Sequence, residues 1–238
     1  MINWTELNSL KEVLLKEIDN IFKVYGYEIE IKAEDLNLLK SKYSCLRTST
    51  ALGYILEEFV YQKFKNVFKN NKDWVIWREG ESTQNSSYDF VLSCNKFDAL
   101  INIKTENINS QNNAVAAINK LHFDYEKKYN SGKDFYYILL KVIYSIDNKQ
   151  TAMKTETIEY YKKMQIQRFT CYALEEVSFI NGHNQDSRNW SNKGFKKESG
   201  RLIISDSFLK KNRLNEEQEI SNYQTLHFIE SMYETKTK

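Results

Sequence analysis

"YDFVLSCNKFDALINIKTEN" spans residues 88–107. Two short apolar runs flank the polar stretch "SCNKFD", the pattern of an antiparallel hairpin. The first run carries Asp89, and the second leads into Asn102-Ile103-Lys104. Residues two apart on a strand share a face, so Asn102 and Lys104 point the same way and Ile103 points into the core. The turn brings Asp89 level with the end of the second strand. A carboxylate and an ammonium thus meet on adjacent strands, with an amide on the same face.

Working outward from this hairpin, residues 47–71 show apolar spacing at Leu52, Leu56, Phe59, Val60, Phe64 and Val67, which predicts a helix. Gly53 inside it costs helix stability and marks a close approach of another group. Glu57, one turn on, shares a face with Val60, Tyr61 and Phe64, whereas Glu58 turns away. Residues 73–79 read as a strand and 80–87 as a polar loop. Residues 111–130 read as a helix and "DFYYILLKVIYSI" (134–146) as a central strand buried on both faces. A helix capped by Thr5 is expected over 4–24, and a short one near 33–43. The run before residue 175 fits helix or strand, with a strand near 175–180; a short strand at 201–205 and a helical C-terminus follow. This order implies an α/β (α+β) fold with a mixed central β-sheet flanked by helices. The expected organisation is an N-terminal helical segment (1–45), a core (46–180), and a loop with a C-terminal helix (181–238), together one compact domain.

Composition narrows the function classes. The 238 residues carry 41% hydrophobic and 14% aromatic residues, enough for a packed core. Pro is absent and Asn, Lys, Ile and Tyr abound, the imprint of an AT-rich coding sequence. A net charge of +2 is low for a protein that simply coats nucleic acid. Cys45, Cys94 and Cys171, with His122, His183 and His227, show no zinc or disulfide spacing. No apolar run is long enough to span a membrane and no signal-peptide pattern opens the chain, so a cytoplasmic location is expected.

Asp89, a gap of twelve residues and then Asn102-Ile103-Lys104 resemble the PD-(D/E)XK nuclease signature. "RTSTALGYILEEFVYQKFKN" is similar to the core helix of type II restriction endonucleases, HincII-like, in which a Gly-containing start leads to a Glu near the metal site. "NIKTENINS" is similar to the strand and loop that follow. The resemblance covers residues 47–145 and implies a restriction-endonuclease-like core. It also implies Mg²⁺-dependent hydrolysis of double-stranded DNA, with Mn²⁺ as a substitute. Asp89 would be the principal metal ligand, Asn102 a second one, direct or through water, and Glu57 an auxiliary one. Lys104 would orient the attacking water. Asn102 departs from the acid of the signature; its neutral oxygen still suits Mg²⁺, with less charge attraction. Glu106 lies two residues past Lys104 on the same face if the strand continues that far.

Base and phosphate contacts are expected outside this set. Asn109, Gln111, Asn112 and Asn113 follow Lys104 and suit base edges. Residues 181–213 hold eight basic residues against three acidic ones, a net of +5. Within them His183, Asn184, Gln185, Arg188, Asn189, Trp190, Lys193, Lys196, Lys197 and Arg201 form the expected DNA-reading stretch. A symmetric homodimer would give a short palindromic site, and a cognate DNA methyltransferase would be encoded nearby. Two alternatives remain: a non-catalytic sequence-specific DNA-binding module, and a structure-specific repair nuclease on the same fold.

Overall fold

A computed structural model describes residues 3–32, 48–79, 86–109, 114–147, 161–179, 184–186 and 200–234. The expected short helix near 33–43 lies outside them. Helix α1 (Trp4–Tyr25) forms because Leu7, Leu10, Leu14, Ile18, Ile21 and Phe22 recur at helical spacing and all are buried. Its N-cap is Asn3, whose side chain accepts from the Thr5 N–H at 2.9 Å; Thr5 already lies in the helix. Gly26 ends it at φ 93°, its N–H donating to the Phe22 carbonyl. Strand β1 (Glu28–Lys32) follows directly, an element the sequence reading missed.

The central sheet has six strands in the order β1-β7-β6-β4-β3-β2. These are β2 (Val75–Trp77), β3 (Phe90–Ser93), β4 (Phe97–Asn107), β6 (Asp134–Asp147) and β7 (Tyr161–Ala173), with β1 at one edge. All neighbours are antiparallel except β4 and β6, which are parallel with Lys104 beside Lys141. A parallel pair needs a crossover. It is made by strand β5 (Ala114–Ala117) and helix α3 (Ile118–Asn130). Residues 114–117, expected as the start of a helix, are extended because β5 pairs with β9 (Arg201–Ile203) in a second, three-stranded sheet, β5-β9-β8. Its edge strand β8 (Asn184–Asp186) falls in a stretch expected to lack regular structure.

Alternation along the strands builds two cores. Phe97, Ala99, Ile101 and Ile103 of β4 pack with α1 and helix α2 (Thr48–Phe68) on one face. Leu100 packs on the other with α3, helix α5 (Asn222–Glu234) and Leu202 of β9. Strand β6 divides likewise, which explains its near-continuous apolar character. Because α1 shares a core with α2 and the sheet, the N-terminal segment is packed into the main body. Among the described residues no strand forms near 175–179: a 3₁₀ turn (Leu174–Glu176) closes β7, its geometry fixed by Glu176. The Glu176 carboxylate accepts from the Ala173 N–H, Lys11 and Arg213, tying β7 to α1 and to the segment after helix α4 (Asp206–Asn212). Such a buried carboxylate is tolerated because both oxygens are satisfied.

Candidate active site

Strands β3 and β4 part just before Phe90. The Asp89 N–H still donates to the Ile101 carbonyl at 2.8 Å. At the next position the strands separate, and the Asp89 carboxylate fills the gap: its Oδ2 accepts from the Ile103 N–H at 2.6 Å. Helix α2 closes the space from the first face. Its approach is set by Gly53, where an added Cβ would stand 2.9 Å from Thr105 Oγ1 of β4. The close approach expected at Gly53 is therefore to β4. One turn later Glu57 is half-buried beside the same gap.

Three of the four expected catalytic groups share one electrostatic environment. Burial pushes the Glu57 carboxyl up to about 7; the Lys104 charge opposes this and the Asp89 charge adds to it. Asp89 is raised as well, by burial first, against the opposing influence of Lys104, the Ile103 N–H and Arg78. Two carboxyl groups held above their usual range beside a lysine mark a candidate functional site.

Asn102 is 2% exposed and plays a different part. Its amide nitrogen lies 2.9 Å from the Ser87 carbonyl, 3.0 Å from the Val115 carbonyl and 2.8 Å from the Tyr137 hydroxyl. Only a nitrogen can face two carbonyl oxygens, so its orientation is fixed. Tyr137 also donates to the Ser87 carbonyl, and the Ser87 N–H donates to buried Asp124 at 2.6 Å. Ser87, two residues before Asp89, is thus held through both its N–H and its carbonyl. With its nitrogen committed, only the amide oxygen of Asn102 is left to meet a cation.

A second bracket holds Asp89 from the other side. Arg78, just past β2, donates from Nε to the Asp89 carbonyl at 2.9 Å. Its Nη1 and Nη2 both reach Glu58 Oε2 at 3.0 Å, and the guanidinium lies 3.6 Å over the Tyr61 ring. Glu58 does turn away from the gap, as its helical position requires, yet it supports the site through Arg78. Arg78, Ser87, Asp124 and Tyr137 were missed by sequence reasoning. A lone Arg at a strand end and a Tyr in an apolar strand carry no local signal.

The expected DNA-reading residues are only partly described. Asn109 is exposed beyond β4, which runs on through Thr105, Glu106 and Asn107 where a loop was expected. Asn184 and Gln185 lie in β8 and exposed Arg201 in β9. The second sheet joins these strands to β5, whose Val115 carbonyl accepts from Asn102. Strand β9, which carries Arg201, is thereby joined through β5 to the Asn102 hydrogen bonds. Gln111, Asn112, Asn113, His183, Arg188, Asn189, Trp190, Lys193, Lys196 and Lys197 lie outside the described residues.

Among the described residues no three His, Cys, Asp or Glu side chains cluster as a ready metal site. Two carboxylates and an amide oxygen nevertheless fit a hard cation that keeps several waters. No described helix is long and apolar enough to cross a membrane.

No family model matches the chain, and no curated protein matches it. Among solved structures it is similar to the NlaIV restriction endonuclease, with a TM-score of 0.47 and 12% sequence identity over 95% of this chain and 85% of the other.

Proposed function

We propose that this chain is a type II restriction endonuclease of the PD-(D/E)XK kind, HincII-like in its core, that cleaves double-stranded DNA with Mg²⁺. The reading rests on Asp89, held by the Ile103 N–H where β3 and β4 part, with the Lys104 charge acting on both Asp89 and Glu57. Asp89 would hold the cation through the carboxylate oxygen not engaged by Ile103, with Glu57 and the Asn102 oxygen completing the set directly or through water. Bound there, Mg²⁺ or Mn²⁺ supplies charge neutralisation and a more acidic water. Lys104 would orient the attacking water and offset charge on the phosphate. A homodimer would read a short palindrome, with the β5-β9-β8 sheet and its flanking loops on the DNA. A nearby methyltransferase gene and a cytoplasmic location belong to the same reading.

The test is incubation of the full chain with plasmid and phage DNA in Mg²⁺, beside Asp89→Asn and Lys104→Ala. Discrete fragments from wild type alone are expected. Cleavage by Lys104→Ala at the wild-type rate would remove that residue from the mechanism. DNA binding without cleavage in either Mg²⁺ or Mn²⁺ would favour the binding-module reading. Cutting confined to branched or damaged DNA would favour a repair nuclease.

A further inference from the structure

Glu106 stands two residues beyond Lys104 on the same face of β4, and it is buried. Positions two apart on one strand face lie about 7 Å apart, within reach of two long side chains. A carboxylate so placed is a competitor for Lys104: pairing with it would turn the ammonium away from Asp89 and Glu57. The structure shows another arrangement. Glu106 Oε2 is held at 3.0 Å by Nζ of Lys141. Lys141 sits on β6 directly beside Lys104 in the parallel register. On its other side it meets Asp206 Oδ1, at the start of α4, at 3.3 Å.

The direction of this cluster is set by its neighbours. Tyr172 of β7 is raised by burial and then by the charges of Asp206 and Glu106. Strand β7 lies beyond β6 as seen from β4, whereas Asp89 precedes β3 on the opposite side. Glu106 therefore leans over β6, away from the gap. Lys104 is felt by Asp89 and Glu57. Two lysines side by side thus serve two separate sets of carboxylates.

We propose that Lys141 is a positioning residue: it captures Glu106 and so leaves Lys104 to Asp89, Glu57 and the scissile phosphate. The inference rests on the reading of Lys104 as a catalytic group. Lys141 itself touches no substrate in this scheme. Its work is to neutralise a carboxylate that the strand periodicity places one step too close.

The experiment compares wild type, Lys141→Met, Glu106→Gln and the double variant in single-turnover cleavage of plasmid DNA, with folding checked by circular dichroism. Lys141→Met is expected to cleave about 100-fold more slowly with unchanged DNA affinity, whereas Glu106→Gln and the double variant stay within about fivefold of wild type. Rescue in the double variant separates this role from direct action of Lys141 on DNA, which would leave the double variant slow. A folded Lys141→Met enzyme as fast as wild type overturns the proposal, and so does a slow Glu106→Gln enzyme. If Lys141→Met does not fold, an active double variant still shows that Lys141 is dispensable once the Glu106 charge is gone, and a folded but slow one overturns the proposal. The Lys104 side-chain ¹³Cε resonance gives a readout that needs no cleavage. It should move in Lys141→Met and return in the double variant. A resonance that stays in place refutes the proposal even if the wild type cuts no DNA, an outcome that would by itself refute only the nuclease reading.

Discussion

Asn102→Asp would restore the acid of the nuclease signature, and the signature alone predicts tighter metal binding. The structure predicts damage. The Asn102 amide supplies two N–H protons to a site 2% exposed, with the Ser87 carbonyl, the Val115 carbonyl and the Tyr137 hydroxyl within 3.0 Å. A carboxylate supplies none and sets its charge against two carbonyl oxygens. The Ser87 carbonyl keeps the Tyr137 hydroxyl as a donor, whereas the Val115 carbonyl loses the amide. A buried acceptor that loses its donor costs about 1–3 kcal/mol, and the charge facing two carbonyl oxygens adds to it. For a chain of this size that is a fall in Tm of about 2–12 °C, at 2–4 °C per kcal/mol. The stability of a typical domain is about 5–15 kcal/mol, so the variant remains measurable.

The assay is thermal unfolding without divalent ions at pH 5 and pH 8. The introduced carboxyl sits where its charged form is disfavoured, so its folded pKa lies above its unfolded one. The variant is then less unstable at pH 5, where the carboxyl keeps a proton and one donor, and worse at pH 8. Asn102→Leu removes both donors without adding charge, and its pH-independent deficit isolates the hydrogen-bond part. An Asn102→Asp protein with a Tm within about 2 °C of wild type at pH 8 would refute the donor role, since less than 1 kcal/mol would then rest on the amide.

Gly53→Ala should destabilise by about 1–2 kcal/mol in urea, because overpacking against Thr105 Oγ1 at 2.9 Å outweighs the helix propensity gained. Adding Thr105→Ala should recover most of that loss; a stabilised single variant would show that β4 yields freely. Arg78→Met should slow cleavage about 10–100-fold through a displaced Asp89, with only a small loss of stability, and equal rates would dismiss the bracket seen at the Asp89 carbonyl. Burial pushes both Glu57 and Glu175 up to about 7, so the fold holds protons between pH 4.5 and 7 that the unfolded chain has released. Their contribution to stability is complete below pH 4.5 and is lost as pH rises through 7, on the order of 3 kcal/mol for one such group. Urea midpoints should fall over this window and fall less in Glu175→Gln; a rising profile in wild type would contradict the burial argument.

Much of the fold was legible because its signals are local. The leucine spacing of α1, the apolar face of α2, the hairpin around "SCNKFD" and the length of β6 each state their own structure. What the sequence hid was pairing between distant segments. Residues 114–117 contain Ala114, Val115, Ala116 and Ala117, good helix material in isolation, and are extended because β9 is there to pair with them. Residues 28–32 become an edge strand only because β7 offers five partners in register. Glu175 and Glu176 looked like strand residues, but the Glu176 carboxylate closes the end of β7 and the Glu175 carboxylate accepts from the Tyr137 N–H of β6 within the core.

The candidate site divides along the same line. Asp89, Lys104 and Glu57 could be found because strand and helix periodicity fix which way each points. The grip on Ser87 could not, since it joins Asn102, Asp124 and Tyr137 from three elements around one residue. That grip changes the meaning of the asparagine. Read by its place in the signature, Asn102 is an acid weakened to an amide. Read by its partners, it is a donor to two backbone carbonyls, a task no acid can perform when ionised. Under the proposed reading the second carboxylate would come from α2, as Glu57 beside Asp89 permits, and the strand position would be free to hold Asp89 still. The amide at residue 102 and the half-buried carboxyl at residue 57 would then be two sides of one arrangement.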